Sequence, residues 1–179
     1  QADVRFGNQE PGALDGAYQI DNNIARLFTY MGRYAKAYIK KALQHTPLAS
    51  GEEFTCLAVL LTHQSLSKTA LIQLNMLEKT SGTEIINRLL QHKLVHQWDD
   101  DIDKRSKRIA ITDEGKNLLY KVFSDMNHVG KMVTGNLSEL EKFTLQYLLQ
   151  KLENFHYQIH LTKQITSKLD LIKHTSDGI

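Results

Sequence analysis

Very little in this chain punctuates it. Only two prolines, Pro11 and Pro47, and ten glycines occur among 179 residues, which excludes a collagenous or low-complexity polymer and leaves long stretches free to be helical. A single cysteine, Cys56, excludes an intramolecular disulfide framework and a Cys-rich zinc site and fits a reducing compartment. The apolar run Cys56 to Leu61 is far short of the ~20 residues a membrane span needs. The N-terminal stretch lacks a basic region followed by an apolar one, so no signal peptide is expected, and the Asn136 to Ser138 sequon carries no chemistry. Charge of one sign is missing too: 22 Lys and Arg against 20 Asp and Glu leave +2, so any nucleic-acid surface must be local. These absences predict a soluble, cytoplasmic, single-domain-sized protein able to bury a core.

What is present is mostly helical periodicity. Residues 1–14 are read as a loose tail. From Tyr18, apolar residues Ile20, Ile24, Leu27, Phe28, Met31, Tyr34, Tyr38, Ile39 and Leu43 recur at steps of three and four and stop at Pro47. Ser50 caps a second helix with Glu52 and Glu53 in its first turn. Ser67 caps a short helix, Lys68 to Leu74. After Asn75-Met76, a further helix runs to about His92 with Ile85, Ile86, Leu89 and Leu90 inward; its start is either Glu78 or the box beginning at Ser81. The period then changes to two. Leu94 to Trp98 and Arg108 to Thr112 read as a hairpin with a charged tip. Thr112 opens another helix carrying Leu118, Leu119, Val122 and Phe123, which ends around Gly130 to Asn136. Ser138 and Glu141 form a capping box for a final helix of some thirty residues, from Leu140 through Phe155 to Leu169, roughly 45 Å long. Two long apolar helices at opposite ends exceed what one such globule covers, and burial against a second copy is expected.

Helix, short helix, second helix and basic hairpin is the order of a winged helix-turn-helix. The stretch Asp103-Lys-Arg-Ser-Lys-Arg-Ile-Ala-Ile-Thr-Asp-Glu-Gly115 resembles the wing of the MarR family of transcriptional regulators, where Asp-x-Arg is followed by a strand and by Thr-x-x-Gly opening the next helix. Leu89 and Leu94-Val95 match the apolar end of that family's recognition helix. The resemblance implies a mainly α fold: a winged helix-turn-helix lobe at 48–112 with a small β-hairpin wing, a dimerisation helix at 15–47 and C-terminal helices at 113–179 completing the dimer. It implies a homodimeric regulator, a repressor, that reads a pseudo-palindromic operator in double-stranded DNA with the helix in the major groove and the wing in the minor groove. Lys79, Thr80, Ser81, Thr83, Glu84, Asn87 and Arg88 are the candidate contacts on the helix, and Lys104, Arg105, Lys107 and Arg108 those on the wing. Asp103 would orient Arg105. A small aromatic effector is a further implied partner, with Tyr30, Arg33, Tyr34 and Tyr38 as candidate lining; ordinary packing of the dimer helix accounts for the same four residues. No cofactor is implied.

Three positions depart from the family pattern. Glu84 stands where many relatives are basic, and it is expected to face the DNA backbone rather than a base. Gly82 should cost its helix about 1 kcal/mol against Ala. Lys93 replaces a glycine that commonly ends the helix. Other chemistry is poorly supported. Asp99, Asp101 and Asp103 have the first EF-hand spacings, but Lys104 and Ala110 occupy the positions that need Gly and Glu. Cys56, inside an apolar run, is expected to be buried and inert, and His63 to be a helix-end residue. No nucleophile–base order, HExxH, CxxC or phosphate-cradling loop occurs, so an enzyme is not expected. The alternative to DNA binding is a winged-helix protein-interaction module, which would show apolar residues where Lys104 to Arg108 stand.

Overall fold

A computed structural model describes Gly12, residues 19–101, 103–104 and 106–176; the rest of the N-terminal tail and Tyr18 lie outside the described residues. Among the described residues from 19 on, seven helices and three strands follow in the order α1 (Ile20–Ala42), α2 (Gly51–Leu61), β1 (Leu66–Ser67), α3 (Lys68–Leu74), α4 (Lys79–Gln91), β2 (Val95–Asp99), β3 (Lys107–Ile111), α5 (Asp113–Thr134), α6 (Glu139–Thr162) and α7 (Lys168–Ser176). The strands form one antiparallel sheet in the order β1-β3-β2.

Local chemistry accounts for most helix starts. The hydroxyls of Ser50, Ser67 and Thr112 accept from the N–H groups of Glu53, Ala70 and Gly115 at 3.4, 3.1 and 3.1 Å, each satisfying a donor that the first turn leaves unpaired. Thr112 also donates to the Lys93 carbonyl at 2.7 Å, tying the end of the wing to the end of α4. Ser138 and Glu141 form the reciprocal capping box of α6, and hydrogen bonds from the Ser138 hydroxyl and N–H hold the Glu141 carboxyl below its usual range.

The core lies in the middle of the chain. Leu57, Leu60, Leu71, Ile109 and Leu119 are fully enclosed, with Ile86, Leu89 and Val122 almost so. Phe54 of α2 meets Phe123 of α5 edge to face at 5.8 Å. Burying each such aliphatic side chain contributes about 1.5–3 kcal/mol. Cys56 is 1% exposed, and burial, aided by Glu53 and Glu52, pushes its thiol up to about 12. It is a protonated packing residue at neutral pH.

Three expectations about the elements need correction, and one element is new. α1 ends at Ala42, five residues before Pro47, because His45 turns left-handed at φ 65° and the Thr46 hydroxyl bonds the Leu43 carbonyl at 2.8 Å. The thirty-residue C-terminal rod is two helices. Lys163 adopts φ 50°, ψ 41° at the end of α6, and α7 restarts where Ser167 accepts from the Asp170 N–H at 3.2 Å while Asp170 accepts from Thr166. α6 alone is therefore roughly 36 Å long. Gly130 lies within α5, whose end falls at Gly135. The two-residue strand β1, pairing Leu66 with Ile109 and Ser67 with Arg108, had no signal in the periodicity.

Candidate nucleic-acid interface

α3 and α4 meet at a tight turn. Met76 takes φ 51° there, the Leu77 N–H donates to the Ile72 carbonyl at 3.1 Å, and the Asn75 amide donates to the Leu71 carbonyl at 2.9 Å. Gly82 brings the helices together. A Cβ at this position would stand 2.7 Å from Cγ1 of Ile72, so the residue that costs α4 propensity provides its close packing on α3. Gly115 does the same for α5: a Cβ there would meet the Leu94 carbonyl oxygen at 2.2 Å. Lys93 carries the left-handed turn after α4 at φ 56° without the help of glycine.

α4 starts at Lys79, with Glu78 as its N-cap residue, which decides between the two starts the sequence allowed. Gly82, Ile85, Ile86 and Leu89 face inward. At about 100° per residue, the direction opposite to them is occupied by Thr80, Glu84, Asn87 and Gln91, all exposed. Ser81 and Lys79 are exposed beside this stripe, and Thr83 is half-buried on its edge. Gln91 was not singled out from sequence, although the steps of four, three and four from Thr80 point to it.

Arg88 stands apart from the other candidates. Its Nε donates to Oε1 of Glu53 in α2. Glu53 is 1% exposed and is the one buried charged residue among those described. Its second oxygen accepts from the Ala49 N–H at 2.6 Å. Arg88 is thus engaged within the lobe, where it compensates a carboxylate that would otherwise be costly to bury.

The wing divides its cations in a similar way. β2 and β3 run in register from Val95 against Ile111 to Asp99 against Lys107, and an ion pair joins Lys107 to Asp99. Arg108 reaches back to the residue before β1, donating to the Ser65 hydroxyl at 3.1 Å and to its carbonyl at 2.9 Å, with Asp100 3.7 Å away. The acidic run shapes the tip: the Asp103 N–H donates to Oδ1 of Asp100 at 3.1 Å and the Ser106 N–H to the Asp103 carbonyl at 2.8 Å. Lys104 is exposed at that tip. Arg105, and with it the expected pairing to Asp103, lies outside the described residues. On β2, His96 and Trp98 stack at 5.1 Å on an exposed face.

The four residues expected to line an effector pocket do not jointly border either of two cavities among the described residues. Arg33 lies over the Tyr30 ring at 5.7 Å, and Tyr34 is exposed. Tyr38 alone borders a cavity, of about 350 Å³, shared with Lys41, Asp125 and Met132 between α1 and α5. A larger cavity, of about 850 Å³, opens between the α3–α4 turn and the end of α6. Lys68, Lys79, His156, His160 and Lys163 border it, with Glu78 as its acid. Sequence spacing gave no hint of it, because it joins residues some eighty positions apart.

The order and packing of these elements define a winged helix-turn-helix protein with long flanking helices. No family model matches the chain. The HTH-type transcriptional repressor NicR of Pseudomonas putida is 26% identical over 106 residues, 59% of this chain and 67% of that protein. The fold is shared with BpsR of Bordetella bronchiseptica, whose DNA binding is regulated by 6-hydroxynicotinic acid, at a TM-score of 0.68 and 19% identity over 73% of this chain and 98% of that one. It is shared equally with a variant of Escherichia coli MarR complexed with operator DNA, at a TM-score of 0.64 and 20% identity over 75% of this chain and 98% of that one. The chain has the MarR fold, as its wing and helix order predict. No described helix is long and apolar enough to cross a membrane.

Proposed function

We propose that the protein is a MarR-type transcriptional regulator, a homodimer that represses by binding a pseudo-palindromic operator. The observation that carries this reading is the face of α4. Thr80, Glu84, Asn87 and Gln91 form a continuous exposed polar stripe opposite the core, on a helix whose size suits a major groove. The wing tip with the exposed Lys104 would supply cationic charge for phosphate or the minor groove. Thr80, Ser81, Thr83, Glu84, Asn87, Gln91 and Lys79 serve as the helix contacts, and Lys104 and Arg105 as the wing contacts. Arg108, Lys107 and Asp100 hold the wing in shape. Residues 48–112 act as the reading lobe, and α1 with 113–176 as the dimer region.

A protein-interaction module is the competing reading, and the polar character of the stripe disfavours it, since partner-binding surfaces centre on apolar anchors. Enrichment of bound sequences from a random duplex pool, followed by fluorescence anisotropy, tests the proposal. Discrimination of an enriched duplex from a scrambled one by about 10³-fold or more is expected; equal, weak binding to both would overturn it. For an effector, a planar aromatic carboxylate is the class to try, because BpsR responds to one and the 850 Å³ cavity presents three lysines and two histidines. Titration of the DNA complex with 6-hydroxynicotinic acid measures whether such an anion releases it.

A further inference from the structure

We propose that Arg88 is a positioning residue: tethered to the buried Glu53, it sets the rotation of α4 and thereby which base pairs the exposed stripe meets. The proposal rests on the DNA-binding reading above and adds to it a division of labour among the arginines and lysines of the lobe.

The tether has three members. Glu53 sits in the first turn of α2 with its own N–H bonded to the Ser50 hydroxyl. One carboxylate oxygen accepts from the Ala49 N–H and the other from Nε of Arg88, 35 residues further on. The carboxylate is therefore fixed by the start of α2 on one side and grips α4 on the other. The grip is off-axis. Arg88 projects about 110° from the core-facing direction of α4, so a pull on it acts as a torque about the helix axis, which the greasy contacts of Ile85, Ile86 and Leu89 resist weakly because apolar packing is non-directional. Rotation by one residue's worth would replace Glu84 and Asn87 at the centre of the stripe by their neighbours. Releasing Arg88 to a phosphate would leave a carboxylate that is 1% exposed with a backbone N–H as its remaining partner, a costly arrangement. Arg88 is 40% exposed and flanks the stripe, so a direct phosphate contact is the rival role, and the two roles differ in their salt signature.

The test uses the full-length protein, the duplex it enriches from a random pool, a scrambled version of that duplex, and a series of potassium chloride concentrations. Arg88→Lys keeps the cation but loses the Nε donor. For a positioning role, Arg88→Lys and Glu53→Gln should each lower the enriched-to-scrambled affinity ratio by about tenfold, the scale of one lost base-specific contact. Binding to the scrambled duplex and the slope of log K against log salt should stay at their wild-type values. If Arg88 is instead a phosphate contact, Arg88→Lys keeps the ratio, Arg88→Gln flattens the slope by about 0.9, and Glu53→Gln has no effect on discrimination; that pattern overturns the proposal. Circular dichroism melting checks that each variant is folded, and Arg88→Lys decides alone if Glu53→Gln is not. A wild-type protein that binds neither duplex overturns the DNA-binding reading itself, whereas a wild type that discriminates alongside an Arg88→Lys variant that discriminates equally well overturns only the tether.

Discussion

The middle of this chain and its two ends solve the burial problem differently. From Leu43 to Val122 the apolar side chains close on one another, and nine of them, Cys56 included, are at most 1% exposed. In α1, α6 and α7 no residue is buried at all. Phe143 and Tyr147 of α6 are two-thirds exposed, and Ile24, Leu27, Phe28 and Met31 line an open stripe along α1. The same 3.6-residue period thus marks two kinds of helix. Where periodic segments are short and linked by tight turns, they pack on themselves. Where they are long and terminal, they keep a partly open apolar stripe among the described residues, although α1 also packs on α5, and exposed apolar surface of this extent is characteristic of interfaces.

The largest effect should come from removing one side of that contrast. Deletion of residues 138–179 takes away α6 and α7 and should leave α1 without the helices that complete the proposed dimer. We expect loss of the dimer, measured by light scattering, and a fall in operator affinity of about 10²-fold or more, the avidity of two linked reading heads. A well-folded monomer that keeps operator affinity would break the comparison.

Single truncations sharpen it. Leu89→Ala empties a site that is 1% exposed and should cost about 2–5 kcal/mol in a denaturant titration, whatever the protein concentration. Leu148→Ala, on a half-exposed face of α6, should leave the lobe intact and instead steepen the dependence of the melting temperature on concentration, because a weaker dimer is linked to folding by mass action. Equal and concentration-independent losses in both variants would mean that α6 is covered within its own chain.

Legibility in the sequence followed the range of the interaction. Caps are local, so Ser50, Ser67, Thr112 and Ser138 could be read directly, and so could the wing, whose period of two lies between two turn-rich segments. The break after α6 was hidden because the apolar period runs through it to Leu169, although Ser167 and Asp170 have capping-box spacing. The propensity cost of Gly82 is legible because it belongs to one residue, while its packing benefit is not, because it depends on Ile72 of the facing helix. Arg88 and Arg108 could not be told from Lys104 by composition. Their partners, Glu53 and Ser65, are 35 and 43 positions away, and only the folded chain separates tethered cations from free ones.

That separation predicts a smaller effect at the wing. Lys104→Ala should shift stability by no more than about 0.5 kcal/mol, as expected for an exposed tip, yet flatten the salt dependence of DNA binding by about 0.9 if it neutralises one phosphate. Arg105→Ala is expected to do the same. Arg108→Ala should do the reverse, costing stability through the lost Ser65 bonds while changing the slope little.

The smallest and most local test concerns Glu84. The family resemblance, with a helix start at Glu78, favours a place beside the DNA backbone, because Ser81, Thr83 and Asn87 can supply the base contacts without it. In the fold, Glu84 stands at the centre of the exposed stripe between Thr80 and Asn87, the line that would enter a groove deepest in the proposed complex, whereas Thr83 borders the cavity beside α6. A carboxylate so placed can accept from a cytosine amino group and is repelled by phosphate only at longer range. Glu84→Gln should therefore change the preference at one base pair per half-site by about 1–3 kcal/mol and leave the scrambled duplex within about twofold, since one screened repulsion is small. Anisotropy titrations against four duplexes, differing only at that pair, measure it. A uniform gain on all four would return Glu84 to the backbone and place the centre of the reading face nearer to Ser81.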